Sequence, residues 1–216
     1  MRLAAWLTRV TAPFAWRSPA RAARLLGSFS RAEASSMLDL LAAARATPSP
    51  ERRALYLVHA LDEERHAKSF AARARQLGLA HPGAADFDGL YDRLGEVGFL
   101  AYVHRGEARG RAQFMEHRRV LLDRGDAHGA RLFEAILVDE ERHERYTGEL
   151  LAALSPSPKT ALRKAALREA LWRWRRAGRF SSGILFAALA SLLFVLLLPF
   201  SLVERYRSRT TGWRAP

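Results

Sequence analysis

Apolar positions along the first three quarters of the chain recur at helical spacing, and no stretch alternates in the manner of a half-buried strand. Four breaks rich in Pro, Gly and Ser interrupt this pattern: TPSP at 47–50, LGLAHPGAAD at 77–86, DRGDAHG at 123–129 and SPSP at 155–158. They predict long helices over about 20–46, 50–77, 88–123 and 127–154, then a basic helix over about 159–178. Residues 181–203 break the amphipathic pattern, with 23 successive uncharged positions. A helix of ~20 apolar residues spans a bilayer core of ~30 Å, so this segment is expected to be transmembrane.

Charge divides the chain along the same lines. The net charge is +13. Residues 1–31, 159–179 and 204–216 carry +16 between them, which leaves 32–158 at −3. The basic excess therefore flanks a mildly acidic core, and two of the flanks border the apolar segment. Attraction to anionic headgroups accounts for this better than a nucleic-acid groove. The expectation is a single-pass protein of the inner (cytoplasmic) membrane, with membrane lipid as partner, no nucleic acid, and residues 1–180 facing the cytoplasm. The N-terminal apolar stretch is broken by Arg9 and reads as an amphipathic surface helix, with Trp6, Phe14 and Trp16 available to dip into the membrane. The expected organisation is a basic amphipathic segment (1–19), a four-helix bundle (20–154), a basic juxtamembrane stretch (155–180), a transmembrane helix (181–203) and a short basic tail (204–216).

The chain has no cysteine, so a metal site would have to be built from nitrogen and oxygen. The pentapeptide Asp-Glu-Glu-Arg-His occurs twice, at 62–66 and 139–143. Each copy contains Glu-x-x-His, Glu63 with His66 and Glu140 with His143, which at helical spacing project from one face. Glu33 precedes Glu63 by 30 residues and Glu107 precedes Glu140 by 33. Glu33 and Glu63 each stand about 15 residues from the break at 47–50, so at about 1.5 Å per residue an antiparallel pair brings them to one height. Glu107 and Glu140 are related in the same way about the break near 123–125. All six residues lie within apolar stripes: Glu33 among Leu26, Phe29, Met37 and Leu40, and Glu107 among Leu100, Val103 and Phe114. An unpaired buried carboxylate costs several kcal/mol, and metal coordination removes that cost. One Glu from each of two helices and Glu-x-x-His from each of the other two is the ligand pattern of a di-iron carboxylate bundle.

A metal-bound imidazole normally donates its other ring N–H to a carboxylate. Asp62 is therefore predicted to meet His143 across the bundle, and Asp139 to meet His66. Tyr56 and His59 stand either at the mouth of the site or as satisfied core residues. Gly106 and Gly110 flank Glu107 and allow close helix approach or substrate access.

Glu33, DEERH at 62–66, Glu107 and DEERHERY at 139–146 resemble the ferritin-like di-iron carboxylate superfamily over about residues 20–154. The stretch over helices 3 and 4 resembles the rubrerythrin branch, and the paired motifs are also similar to the demethoxyubiquinone hydroxylase family. The chain departs from rubrerythrins in lacking a Cys-rich rubredoxin module, and Gly110 occupies the place of a second Glu. The resemblance implies an all-α fold, a ferritin-like antiparallel four-helix bundle followed here by the basic and transmembrane helices. It implies two Fe ions, with Mn as the competitor, an external electron donor, O2 or peroxide as oxidant, and a homodimer as one assembly. The expected activity is a membrane-anchored oxidoreductase acting on a lipid-like or quinone-like substrate. The alternatives are an iron-handling or peroxide-scavenging protein, and a non-enzymatic metal-stabilised membrane adaptor.

Overall fold

The computed structural model describes residues 2–172 and Trp174. Among them are six helices and no strand: α1 (Arg2–Ala15), α2 (Pro19–Ala46), α3 (Pro50–Gln76), α4 (Leu90–Asp123), α5 (Ala127–Leu154) and α6 (158–172). Local chemistry sets the boundaries. Pro19 and Pro50 occupy first-turn positions, where the missing N–H has no helical partner to lose. Ser49 caps α3 by accepting from the Arg52 amide, and Asp126 caps α5 by accepting from Gly129 at 2.8 Å. Gly95, at φ 66° and ψ 168°, kinks α4 in its second turn.

Helices α2 to α5 pack as a four-helix bundle with an apolar cluster at each end. One cluster gathers Leu26, Phe70, Phe114, Leu121, Phe133 and Ile136, with Phe29 against it. The other gathers Leu40, Tyr56, Phe99, Leu100, Val103 and Leu151. Residues low in α2 and α5 but high in α3 and α4 share the first cluster, so α2 and α5 run one way and α3 and α4 the other. The link between the parallel helices α3 and α4 must then traverse the bundle. Residues 77–89 do so by climbing α2 turn by turn. Leu79 and Pro82 pass over Gly27, Arg31 donates to the Pro82 carbonyl, Ser35 Oγ accepts from the Asp86 amide, and Asp39 accepts from Leu90 N–H. Gly27 is what admits this approach, since a Cβ there would fall 2.5 Å from Leu79 Cδ2.

Two expectations are corrected. No helix among the described residues is long and apolar enough to cross a membrane. Among the described residues the fold is all-α with no transmembrane helix, and the expected single-pass inner-membrane location is withdrawn with it. The physical reason is that charged residues recur along each described helix, as Arg24, Arg31, Glu33 and Asp39 do in α2, so none offers an apolar length that could cross a bilayer. The segment 181–203 and the tail 204–216 lie outside the described residues. Within the N-terminal segment 1–19, α1 is an amphipathic helix that packs on α4 as part of the compact unit Met1–Ala166. Trp16 is buried, donates from Nε1 to His117 Nδ1 at 3.0 Å, and sets its ring edge against Phe133. Trp6 and Phe14 stay exposed. The expected basic stretch at 155–180 begins as α6, whose Ala161, Leu162 and Ala165 pack against the second cluster.

Candidate metal centre

Between the two apolar clusters lies a layer of carboxylates and imidazoles. Each of the four bundle helices contributes: Glu33 from α2, His59, Glu63 and His66 from α3, Glu107 from α4, and Glu140 and His143 from α5. Glu63 and His143 are each 1% exposed and His66 and Glu140 each 2%. Glu33 keeps some exposure as a residue, but its carboxylate is enclosed. The six residues singled out in the sequence are thus brought together, and Gly110 makes room for one of them. A Cβ at Gly110 would come within 3.1 Å of Glu140 Oε2.

The two copies of the pentapeptide face each other across the bundle. His66 Nε2 lies 3.1 Å from Asp139 Oδ2, and His143 Nε2 lies 3.1 Å from Asp62 Oδ2. A ring N–H donating to each aspartate leaves both Nδ1 atoms as lone pairs turned into the layer. His66 Nδ1 is 3.9 Å from Glu63 Oε2 and 3.8 Å from Glu140 Oε1. His143 Nδ1 is 3.9 Å from Glu63 Oε1 and 3.7 Å from Glu107 Oε2. Donor atoms at about 2.1 Å from a common cation stand about 3–4 Å apart, which is the spacing found.

Sequence reading missed the arginines that close this arrangement. Arg65 donates to Asp139 Oδ2 at 2.6 Å and pairs with Asp62 Oδ1 at 2.7 Å. Arg142 pairs with Asp139 Oδ1 at 2.8 Å and donates to Asp62 Oδ2. Two Asp and two Arg form a closed ring of alternating charge over the two imidazoles. The signal was present, because arginine is the fourth residue of both repeats. Burial works against ionising Asp62 and Asp139, but the imidazole and arginine partners outweigh it and hold both carboxyls below their usual range.

The inner carboxylates behave differently. Burial, then the neighbouring Glu33, pushes Glu63 well above the usual carboxylate range; burial, then Glu107, does the same to Glu140. Burial also raises Glu33. Glu107 is held low: burial opposes this and is outweighed by His59 and then His143. Glu63 and Glu140 are therefore the carboxyls whose burial and neighbours most favour the protonated form. Burial lowers His66 as well, and pushes His59 down to about 3, so both rings are neutral and available as ligands.

Two residues sit elsewhere than at a site mouth. His59 is inside the layer, 1% exposed, with Nε2 2.8 Å from Glu63 Oε1 and Nδ1 2.6 Å from the Tyr146 hydroxyl. Tyr56 is fully buried in the second apolar cluster and donates to Glu96 Oε1 at 2.9 Å, in a network with Arg52 and Thr47. Its helical phase is a core phase, and Glu96 satisfies the hydroxyl.

These groups could hold a metal ion, and one feature of the layer favours it. Glu63 Oε2, His66 Nδ1 and His143 Nδ1 are buried without a hydrogen-bond partner. Each such atom costs about 1–3 kcal/mol when left alone. His66 Nδ1 and His143 Nδ1 fall in two separate groups of candidate ligands that share Glu63, so a cation in each group would satisfy them. No protein-family model, curated protein or solved structure matches the chain.

Proposed function

We propose that this chain is a dinuclear metalloprotein of the ferritin-like type, an oxidoreductase acting on O2 or peroxide with two iron ions, manganese being the competing metal. The observation that carries this reading is that the orphaned His66 Nδ1, His143 Nδ1 and Glu63 Oε2 lie among the further carboxylates of Glu33, Glu107 and Glu140 in two groups of candidate ligands. Imidazole and carboxylate donors without thiolate suit iron or manganese, and more donors are present than a closed tetrahedral zinc site takes up. Bound there, a pair of ferrous ions supplies two electrons to one O2 or peroxide molecule, replenished by an external donor. The chain's own part is to orient and to hold protons. Asp62 and Asp139 fix the tautomers of His143 and His66. Glu63 and Glu140 favour the protonated form, and such protons must leave as cations enter, so affinity rises with pH.

The burial of the layer favours small reactants over an organic substrate, since the Glu-x-x-His side chains are 1–2% exposed. That supports the iron-handling or peroxide-scavenging form of the reading. The test is metal content of the chain loaded anaerobically with Fe(II), beside a Glu63→Ala/Glu140→Ala variant. About two irons per chain are expected, released protons accompanying them, both lost in the variant. Exposure to O2 or peroxide should then consume oxidant, with repeated oxidation of added Fe(II) marking the iron-handling form. A folded bundle that binds no metal, or a ferrous form inert to both oxidants, would overturn the proposal.

A further inference from the structure

We propose that His59 is a metal ligand in its own right and that it makes the two cation positions chemically unequal. The inference rests on the dinuclear reading above. The candidate ligands form two groups that share Glu63. Glu33, Glu63, His66 and Glu140 offer three carboxylates and one imidazole. His59, Glu63, Glu107 and His143 offer two of each. In the second group His59 Nε2 is 2.8 Å from Glu63 Oε1 and 3.6 Å from Glu107 Oε1. Its ring stacks on that of His143, with centroids 3.6 Å apart.

The duplicated motif supplies an internal control. The residue four before Glu63 is His59, whereas the residue four before Glu140 is Ile136. The residue three after His143 is Tyr146, whose hydroxyl backs His59, whereas the residue three after His66 is Ser69, a half-buried residue whose hydroxyl donates to the Arg65 carbonyl. The third imidazole and its support therefore belong to one side of the site only.

Tautomer chemistry makes ligation feasible. With Nε2 2.8 Å from Glu63 Oε1 and Nδ1 2.6 Å from the Tyr146 hydroxyl, one tautomer of His59 has Nε2–H donating to Glu63 and the Tyr146 hydroxyl donating to Nδ1. A phenol both donates and accepts, so the ring proton can move to Nδ1, donate to Tyr146, and free the Nε2 lone pair. His66 and His143 need no such reversal, because a carboxylate already holds each Nε2–H. Imidazole favours the later first-row metals, while carboxylate suits manganese. The nitrogen-richer position should thus take the later metal and leave manganese to the oxygen-rich one.

Full-length, metal-free chain supplied with one equivalent of Co(II) and excess Mn(II), desalted and weighed intact under native conditions, tests this. Nearly every chain should carry one cobalt and one manganese, whichever metal was added first, whereas random filling leaves about half of them mixed. His59→Gln keeps a donor towards Glu63 but no imidazole, so its mixed fraction should fall towards the random value with two metals still bound. Tyr146→Phe keeps the imidazole without its hydroxyl partner and should fall between the two. Cobalt-edge X-ray absorption on the mixed wild-type form, which needs no variant, should count two imidazoles. Random filling in the wild type, undiminished selectivity in His59→Gln, or a single imidazole on cobalt would each reduce His59 to a hydrogen-bond partner of Glu63 and overturn the inference. Chains that bind no metal would overturn the dinuclear reading itself, and this one with it.

Discussion

The hairpins α2–α3 and α4–α5 solve one problem with the same sequence and then part company within a turn of it. In both, an upstream Glu and a Glu-x-x-His meet at mid-height, and in both an Asp and an Arg from the repeat reach across to the other copy. Moving outward, His59 corresponds to Ile136, Phe70 to Thr147, and Tyr56 to Phe133. One border of the layer is accordingly closed by Phe29, Phe70, Phe114 and Phe133, whose rings lie 5.2–6.1 Å apart. The other is lined by His59, Tyr146 and Thr147. The repeat thus builds a symmetric holder, and its flanks decide which side is dry and which is polar.

The comparison can be broken most severely at Ile136. Ile136→His places an imidazole in the aromatic cluster without a tyrosine behind it, and should cost about 2–3 kcal/mol in denaturant unfolding of the metal-free chain. A neutral outcome would mean that the aromatic border accepts polarity and that the asymmetry is incidental. Next in size, Asp62→Ala and Asp139→Ala each strip one imidazole N–H of its acceptor. Both should lower metal affinity by about 10–100-fold in chelator competition, and by similar amounts. A large difference between them would show that the charge ring is symmetric in shape alone. The finest test compares two glycines of α4. A Cβ at Gly106 meets open space, so Gly106→Ala should stabilise the helix by up to about 1 kcal/mol with affinity unchanged. Gly110→Ala should gain less and bind metal a few-fold more weakly, because its Cβ crowds Glu140 Oε2.

Much of this architecture is legible in the sequence, for identifiable reasons. The helix boundaries follow from prolines and caps, which act locally; α4 starts at Leu90 rather than 88 because Gly89 adopts φ 60° and the Leu90 amide is capped by Asp39 of α2. The gathering of Glu33, Glu63, Glu107 and Glu140 is legible because equal distance from a turn fixes height in a hairpin. The place of His59 is not, since a histidine one turn from a ligand has the same phase whether it lines a site or fills a core. Arg65 and Arg142 read as ordinary exposed charges until the two repeats are set face to face. Trp16 misleads because a Trp beside arginines suits an interface, whereas here His117 offers its indole a buried acceptor. The span expected at 181–203 rests on apolar composition alone, and no described helix has that composition.

The crossover at 77–89 has a consequence for the order of assembly. Each hairpin closes through a short turn and is built from contacts close in sequence, which form quickly. The carboxylate layer is divided between the hairpins, with Glu33, Glu63, His59 and His66 in one and Glu107, Glu140 and His143 in the other. Neither hairpin alone can present either complete group of donors. The chain must first lay its crossover along α2 and bring the hairpins together before the layer exists. Interactions made that late act mainly on the unfolding rate. With cations bound as proposed, the layer would be a latch, holding shut a bundle whose closure is driven by the apolar clusters on either side of it.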